Sequence, residues 1–262
     1  MLRTVKAARY VLPLREGSSV PALVEGDDLG LYVVKLRGAG QGTKALIAEL
    51  VAGELGRAAG LRVPEIVLVD LDRELASSEP DPELSAPLEA SSGLNLGLDF
   101  LPGSVTLDPI ADPPPDAVTA SRIVLFDAFA MNVDRTVRNP NLLVWHGQMW
   151  LIDHGAALYF HHGWQPEKPL DQSDDPFPEV KAHVLLRWAT ELPAAAEHLR
   201  SIFDGALFDQ IVASIPAIFH HPNDSFADIA ALRSGYGTWL RARLAALPVI
   251  LEEAQRAHSA LV

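Results

Sequence analysis

The stretch from residue 131 to residue 155 limits the possible folds of this chain most, because one clear local signal follows another along it. An apolar run with helical spacing over residues 123–131 ends at Asn132. The loop that follows contains Pro140, which has no backbone N–H and cannot continue a helix. The sequence therefore predicts that an apolar helix ends here and that a polar loop begins.

A β-hairpin is predicted directly after this loop. Residues 142–145 and residues 148–152 are short strand-like runs. His146 and Gly147 between them suit a two-residue turn, because glycine adopts positive φ at little cost. The polar loop and the end of the second strand can therefore meet at one end of the hairpin.

Three polar residues occupy these converging segments. Asp134 and Asn139 lie on the loop, and Asp153 follows the second strand. Transfer of a γ-phosphate to a hydroxyl needs an acceptor for the hydroxyl proton and Mg²⁺ held by hard oxygen ligands. Asp134 suits the base, and Asn139 and Asp153 suit the metal ligands, in the order of the protein-kinase pattern; Gly155 is expected to let the backbone turn beside the metal. The alternative is that these residues only form turns and a cap.

The composition excludes several classes of protein. The chain has 262 residues, 48% hydrophobic and 21% charged, which is enough for one or two globular domains. It has no cysteine, so disulfides and thiolate metal sites are excluded. A formal net charge of -13 argues against direct nucleic-acid binding. We recognise no signal peptide and no uncharged run of membrane-spanning length, so we expect a cytoplasmic protein with no membrane partner.

The N-terminal third alternates between strand-like runs and turns. Residues 9–14, 20–24 and 31–36 read as three strands of a meander. Lys35 lies in the third strand among apolar neighbours, where a cation needs a partner or an exposed end. In a nucleotide site this lysine would contact the phosphates; in the alternative it is an edge-strand lysine that faces water.

The first turn of the meander offers groups that can hold phosphate. Gly17, Ser18 and Ser19 supply backbone N–H groups and two hydroxyls. A kinase Gly-rich loop has three glycines and this turn has one, so an ordinary turn remains the alternative.

A helix over residues 43–59 is predicted next, with Gly60 as its C-terminal stop. Glu49 and Glu54 are five positions apart, so about 140° of helix rotation separates them and only one can face Lys35. Glu49 near the middle of the helix is the first choice, and Glu54 is the fallback.

Two more strands complete the predicted N-terminal sheet. They cover residues 63–69 and 96–101. In an ATP-binding protein the backbone of Asp99, Phe100 and Leu101 would hydrogen-bond the adenine edge. A plain strand followed by a loop is the alternative.

The composition changes near Gly103 from strand-rich to helix-rich. We therefore predict an α+β fold of two lobes, a β-rich N-lobe over residues 1–102 and a mainly helical C-lobe over residues 103–262. Helical spacing is present over residues 183–190, 194–203, 207–219, 226–232 and 236–261.

Taken together, these segments resemble the HipA-like kinases, a bacterial branch of the protein-kinase-like fold, in their short form without a separate N-terminal subdomain. The resemblance extends to about Gly163, and more loosely beyond. Its most specific piece is MNVDRTVRNPNLL, residues 131–143. Supporting pieces are residues 32–35, 48–49, 61–64 and 98–103.

The resemblance implies an ATP- and Mg²⁺-dependent enzyme that phosphorylates protein serine or threonine. Lys35 would contact the nucleotide phosphates and residues 98–101 would be the hinge. Asp134 would be the catalytic aspartate, and Asn139 and Asp153 would bind magnesium. Ser18 and Ser19 lie where relatives carry an autophosphorylated serine, and toxin-type relatives are held inactive by a regulatory protein partner.

The sequence departs from the family pattern at two positions. Many relatives have histidine two residues after the catalytic aspartate, where this chain has Thr136, so the means of holding the loop is open. The motif Asp153-His154-Gly155 lacks the phenylalanine of ordinary protein kinases. Three functions remain open: a protein kinase, a small-molecule kinase on the same fold, and a nucleotide-binding module with little turnover.

Overall fold

A computed structural model describes residues 2–14, 21–39, 42–76, 82–221 and 225–261. The described part contains a closed five-stranded barrel, a three-stranded sheet and a helical region. Within it, no helix combines the length and the apolar character that crossing a bilayer would require.

The N-terminal part is a barrel with the strand order β1-β2-β3-β5-β4. Neighbouring strands pair antiparallel, except that β1 closes the barrel by pairing parallel with β4. Buried and half-buried residues alternate along β3, and the buried ones, Tyr32 and Val34, lie in the barrel core, as expected for a strand whose side chains point to opposite faces. The strands are β1 (Arg3–Pro13), β2 (Ala22–Gly26), β3 (Leu31–Lys35), β4 (Ile66–Leu71) and β5 (Gly93–Asp99).

Helix α1 (Gly42–Ala58) connects β3 to β4 and is buried on nearly every side in its middle. Its residues Leu46, Leu50 and Leu55 belong to one continuous core with the C-terminal helices, whereas the barrel interior has its own smaller core. Burial all round explains why its apolar residues form no single stripe. Two short helices, α2 (Arg73–Ala76) and α3 (Pro82–Ala90), lie between β4 and β5. This part of the sequence is acidic and contains several prolines.

The predicted hairpin is confirmed. Strands β7 (Leu142–Trp145) and β8 (Gln148–Leu151) pair antiparallel, and the short strand β6 (Val105–Thr106) adds to β7. Positive φ at both His146 (48°) and Gly147 (70°) makes the turn type I′, which matches the twist of the two strands. The hairpin thus returns the chain to the loop that carries Asp134.

The C-terminal part is helical, but three predictions of helix bounds were wrong. The helix predicted over residues 207–219 ends at Ala213, and a separate 3₁₀ helix covers Ala217–Phe219. Residues 183–190 form no α-helix; they contain the short 3₁₀ helix Leu186–Trp188, and another 3₁₀ helix, Pro178–Ala182, directly precedes them. The last helical stretch is divided at Ala246, where Pro248 fits the first turn of a new helix, and not near residue 234. The helices are α4 (Ala117–Phe129), α5 (Leu192–Ile202), α6 (Gly205–Ala213), α7 (Ile229–Ala245) and α8 (Leu247–Ser259).

Candidate functional site

A cleft of about 770 Å³ lies between the barrel and the helical part. The predicted site residues in its lining come from three regions of the sequence: strand β3, the end of β5 with the two residues after it, and the loop before β7 together with the residue that follows Ile152. The predicted site residues that line it are Lys35, Asp99, Phe100, Leu101, Asp134, Asn139 and Asp153.

Lys35 bridges two carboxylates at the back of this cleft. Its Nζ lies 2.5 Å from Glu49 Oε2 and 2.5 Å from Asp153 Oδ1. Glu49 is fully buried on α1, whereas Glu54 pairs with Arg57 one helical turn further on at 3.3 Å. The structure therefore selects Glu49 as the partner of Lys35.

Electrostatics keeps Lys35 and Glu49 charged. Burial alone would lower the pKa of Lys35, but the charges of Glu49 and Asp153 outweigh it, and the pKa of Lys35 is raised. Burial likewise opposes ionisation of Glu49, yet Lys35 and His154 take its pKa well below the ordinary value. His154 Nδ1 lies 3.4 Å from the second oxygen of Glu49, so the buried carboxylate has a polar neighbour on each oxygen.

Asp134 lies at the cleft floor, held by two amides. Asn139 Nδ2 donates to Asp134 Oδ2 at 2.7 Å, and Asn141 Nδ2 donates to the same oxygen at 3.3 Å. Burial raises the pKa of Asp134, and the nearby charge of Asp153 raises it further against these two hydrogen bonds. In the described part of the chain, Asp134 Oδ1 accepts no hydrogen bond, so it is available to a substrate hydroxyl.

Asp153 owes its position to the backbone at the end of the hairpin. Its φ of 55° is left-handed, a conformation that non-glycine residues adopt at a cost. The expectation that Gly155 makes this turn was wrong, because Gly155 does not have a left-handed φ and a Cβ there would meet only ordinary contacts at 3.5 Å and beyond. The strained residue is the carboxylate residue itself.

The donor set fits a hard divalent cation. The side chain of Asp153 is half exposed. Lys35 contacts its Oδ1, and no described residue donates to its Oδ2. The side-chain N–H of Asn139 donates to Asp134, so the side-chain oxygen of Asn139 is left for another partner. The repulsion that raises the pKa of Asp134 would be relieved by a cation between the carboxylates. Asn139 and Asp153 are therefore the residues that would hold Mg²⁺.

The segment after β5 offers one backbone donor to the cleft. The N–H of Asp99 donates to Glu65 O and the N–H of Phe100 donates to Leu31 O, both at 2.9 Å. The N–H of Leu101 donates to no group that the structure describes. Of the three residues expected at the adenine edge, Leu101 is therefore the one whose N–H is available. The other phosphate-side candidates, Gly17, Ser18 and Ser19, lie outside the described residues.

Sequence reasoning missed a buried group beneath the loop. The carboxylate of Asp127 accepts hydrogen bonds from Asn132, Arg135 and His183. A signal was available, because Asp127 is a lone carboxylate in the apolar run of residues 123–131 and a buried charge requires partners. His183 could not be found this way, since it lies 56 residues further along the chain.

Comparison with known proteins gives one family. A family model described as HipA-like kinase matches residues 9–230. A search of curated proteins gave no match.

Solved structures with the same fold include two kinases. One is a proinflammatory kinase, CtkA, of Helicobacter pylori, with a TM-score of 0.61 at 13% identity, covering 100% of both chains. The other is the Golgi casein kinase with Mn/ADP bound, with a TM-score of 0.55 at 15% identity, covering 99% of this chain and 76% of that one. These similarities show the predicted α+β, two-lobed protein-kinase-like fold.

Proposed function

The chain belongs to the HipA-like kinase family, and on this basis we propose that it transfers the γ-phosphate of ATP to a serine or threonine hydroxyl of a protein, with Mg²⁺ as cofactor. We place the boundary between its lobes at residues 102 and 103. One observation carries the proposal: a cation, Lys35, and two facing carboxylates, Asp134 and Asp153, line the same cleft.

Each group has a part in this reaction. Lys35, fixed by Glu49, is placed to hold the nucleotide phosphates, and the N–H of Leu101 is placed to bind the adenine edge. Mg²⁺ held by Asn139 and Asp153 would neutralise charge on the β- and γ-phosphates. Asp134 orients the acceptor hydroxyl and takes its proton through Oδ1, the oxygen that the two asparagine amides leave open.

The test is incubation of the purified protein with Mg²⁺ and γ-labelled ATP, followed by mass spectrometry of the intact chain, its peptides and added candidate proteins. We expect transfer by the wild type and none by Asp134→Asn, while ATP binding measured by thermal shift is retained. Asp209→Asn is the matched control, because Asp209 lies on α6, is absent from the cleft lining among the described residues, and pairs with the exposed Arg241. Phosphate transfer that persists in Asp134→Asn would refute the proposal.

A further inference from the structure

The carboxylate of Asp127 connects the catalytic loop to a distant part of the chain. Asp127 is fully buried on α4. Asn132 Nδ2 donates to its Oδ1 at 3.0 Å, and Arg135 Nε donates to its Oδ2 at 2.6 Å. The third partner, His183 Nε2, lies 3.0 Å from the same Oδ2 and comes from the segment between the two 3₁₀ helices. This carboxylate therefore joins the helix, the loop and a remote histidine.

The hydrogen bonds of His183 fix which nitrogen carries its proton. The Leu185 N–H donates to His183 Nδ1 at 3.0 Å, so Nδ1 is the acceptor. Nε2 is then the protonated nitrogen, and it donates to Asp127. Backbone contacts also hold His183 beside the loop. Thr136 and His183 form an antiparallel β-bridge, and the Val184 N–H donates to Arg135 O at 3.1 Å.

The same network reaches both carboxylates of the cleft. Asn132 Oδ1 accepts the N–H of Asp134 at 3.3 Å. Arg135 Nη1 donates to the carbonyl of Asn141 and, at 3.4 Å, to the carbonyl of Ile152, the residue before Asp153. A shift of Asp127 or Arg135 would therefore move Asp134 and Asp153 relative to each other.

We propose that His183 is a positioning residue for phosphoryl transfer: by holding Asp127 and, through it, Arg135, it sets the separation of Asp134 and Asp153. The inference rests on the proposed function. The backbone of His183 pairs with that of Thr136, so the segment that carries the histidine also holds this part of the loop.

Two substitutions separate the contacts of His183. His183→Asn keeps an oxygen near Nδ1 for the Leu185 N–H but is too short to reach Asp127. His183→Gln places an amide N–H near Nε2 and can still donate to Asp127. We expect kcat for transfer to fall by about 10- to 100-fold in His183→Asn, with the KM for ATP changed less than about threefold, and we expect His183→Gln to recover most of this loss. Hydrogen exchange of peptides covering residues 132–142 should quicken in His183→Asn and remain near wild type in His183→Gln.

The control is His198→Asn, which also removes a histidine hydrogen bond, here to Ala59 O at 2.9 Å, at a position that does not contact the loop. It should leave kcat and the exchange of residues 132–142 unchanged. If the wild type is active, two results would overturn this inference and leave the proposed function intact. One is an unchanged kcat in His183→Asn, and the other is an equal loss of kcat in His183→Asn and His183→Gln. A wild type that transfers no phosphate would overturn the proposed function and this inference with it.

Discussion

Lys35 and Asp153 are 118 residues apart in the sequence, and their side chains meet at 2.5 Å. The ammonium group joins strand β3 of the barrel to the end of the hairpin, and its second partner Glu49 joins both to α1. One cation therefore fixes three elements around the cleft. The Lys35 ammonium group can hold these elements only through ionised carboxylates. Burial opposes the ionisation of Glu49, but the pKa of Glu49 is nevertheless lowered, so this buried partner is ionised.

The two glutamates of α1 provide a matched test of this arrangement. We expect Glu49→Gln to reduce the free energy of unfolding by about 3 kcal/mol, because it breaks a buried ion pair, and to raise the KM for ATP. Glu54→Gln should change stability by less than about 0.5 kcal/mol, since its pair with Arg57 is partly exposed. Denaturant unfolding and steady-state kinetics measure both effects. Equal losses in the two variants would contradict the assignment of Glu49.

Asp153 should control the response of nucleotide binding to magnesium. We expect wild type and Asp134→Asn to bind ATP more tightly with Mg²⁺ than in EDTA, because both keep Asn139 and Asp153 as ligands. Asp153→Asn should lose this difference, since it removes the only charged ligand of the pair. Calorimetric titration with ATP, with and without Mg²⁺, gives the measurement. If Asp153→Asn keeps the full enhancement, the metal lies elsewhere.

Much of the fold could be predicted because its signals are local. Strand β3, helix α1 and the hairpin were each indicated by apolar spacing and a turn or stop residue close by. The boundaries that failed depend on tertiary structure. Residues 183–190 have helical spacing, but the backbone of His183 and Val184 pairs with the loop of Asp134 and is therefore not helical. The parallel closure of the barrel by β1 and β4 likewise has no local signal.

For the candidate site, the residues that line the cleft could be predicted from the sequence. The buried side chains that hold them in place were harder to predict. Asp134, Asn139 and Asp153 follow from the chemistry of a short stretch, and the structure brings them to one cleft. Helix geometry predicted that only one of Glu49 and Glu54 can face Lys35, and the structure was needed to choose Glu49. Asn132 and Arg135 are near Asp127 in the sequence, but its third partner, His183, is 56 residues away, and hydrophobic periodicity carries no information about such a contact.

Two buried histidines predict acid sensitivity. Burial lowers the pKa of His183 and of His161. Both side chains therefore stay neutral in the folded protein at a pH at which a histidine of the unfolded chain begins to take up a proton. As the pH falls below about 6.5, the unfolded chain binds more protons than the folded one, and stability falls by up to about 1.4 kcal/mol per pH unit for each histidine. Urea unfolding between pH 7.5 and 5.5 should show this decline. His161→Gln should have a shallower decline; an unchanged slope would contradict the role of burial.

Arg243 should contribute to stability through α4, the helix that leads into the loop of Asp134. It is fully buried on α7, and its guanidinium donates to Ala128 O at 2.8 Å and to Phe129 O at 3.1 Å, the carbonyls at the end of α4. Among the described residues, Phe129 O accepts no backbone N–H, and Ala128 O accepts only N–H groups just beyond α4, such as that of Met131 at 3.3 Å, so the guanidinium supplies the donors that the helix end lacks. A lysine keeps the charge but cannot reach both oxygens.

We therefore expect Arg243→Lys to lower the free energy of unfolding by about 2 kcal/mol or more, because at least one buried carbonyl loses its donor. Arg241→Lys is the control from the same helix, since Arg241 is 44% exposed and pairs with the exposed Asp209, and it should cost less than about 0.5 kcal/mol. Denaturant unfolding compares the two variants. Equal small losses would mean that charge alone, and not the geometry of the guanidinium, satisfies the end of α4. A large loss confined to Arg243→Lys would show that the helix end needs the two-pronged donor, and the loop that carries Asp134 begins only a few residues beyond that end.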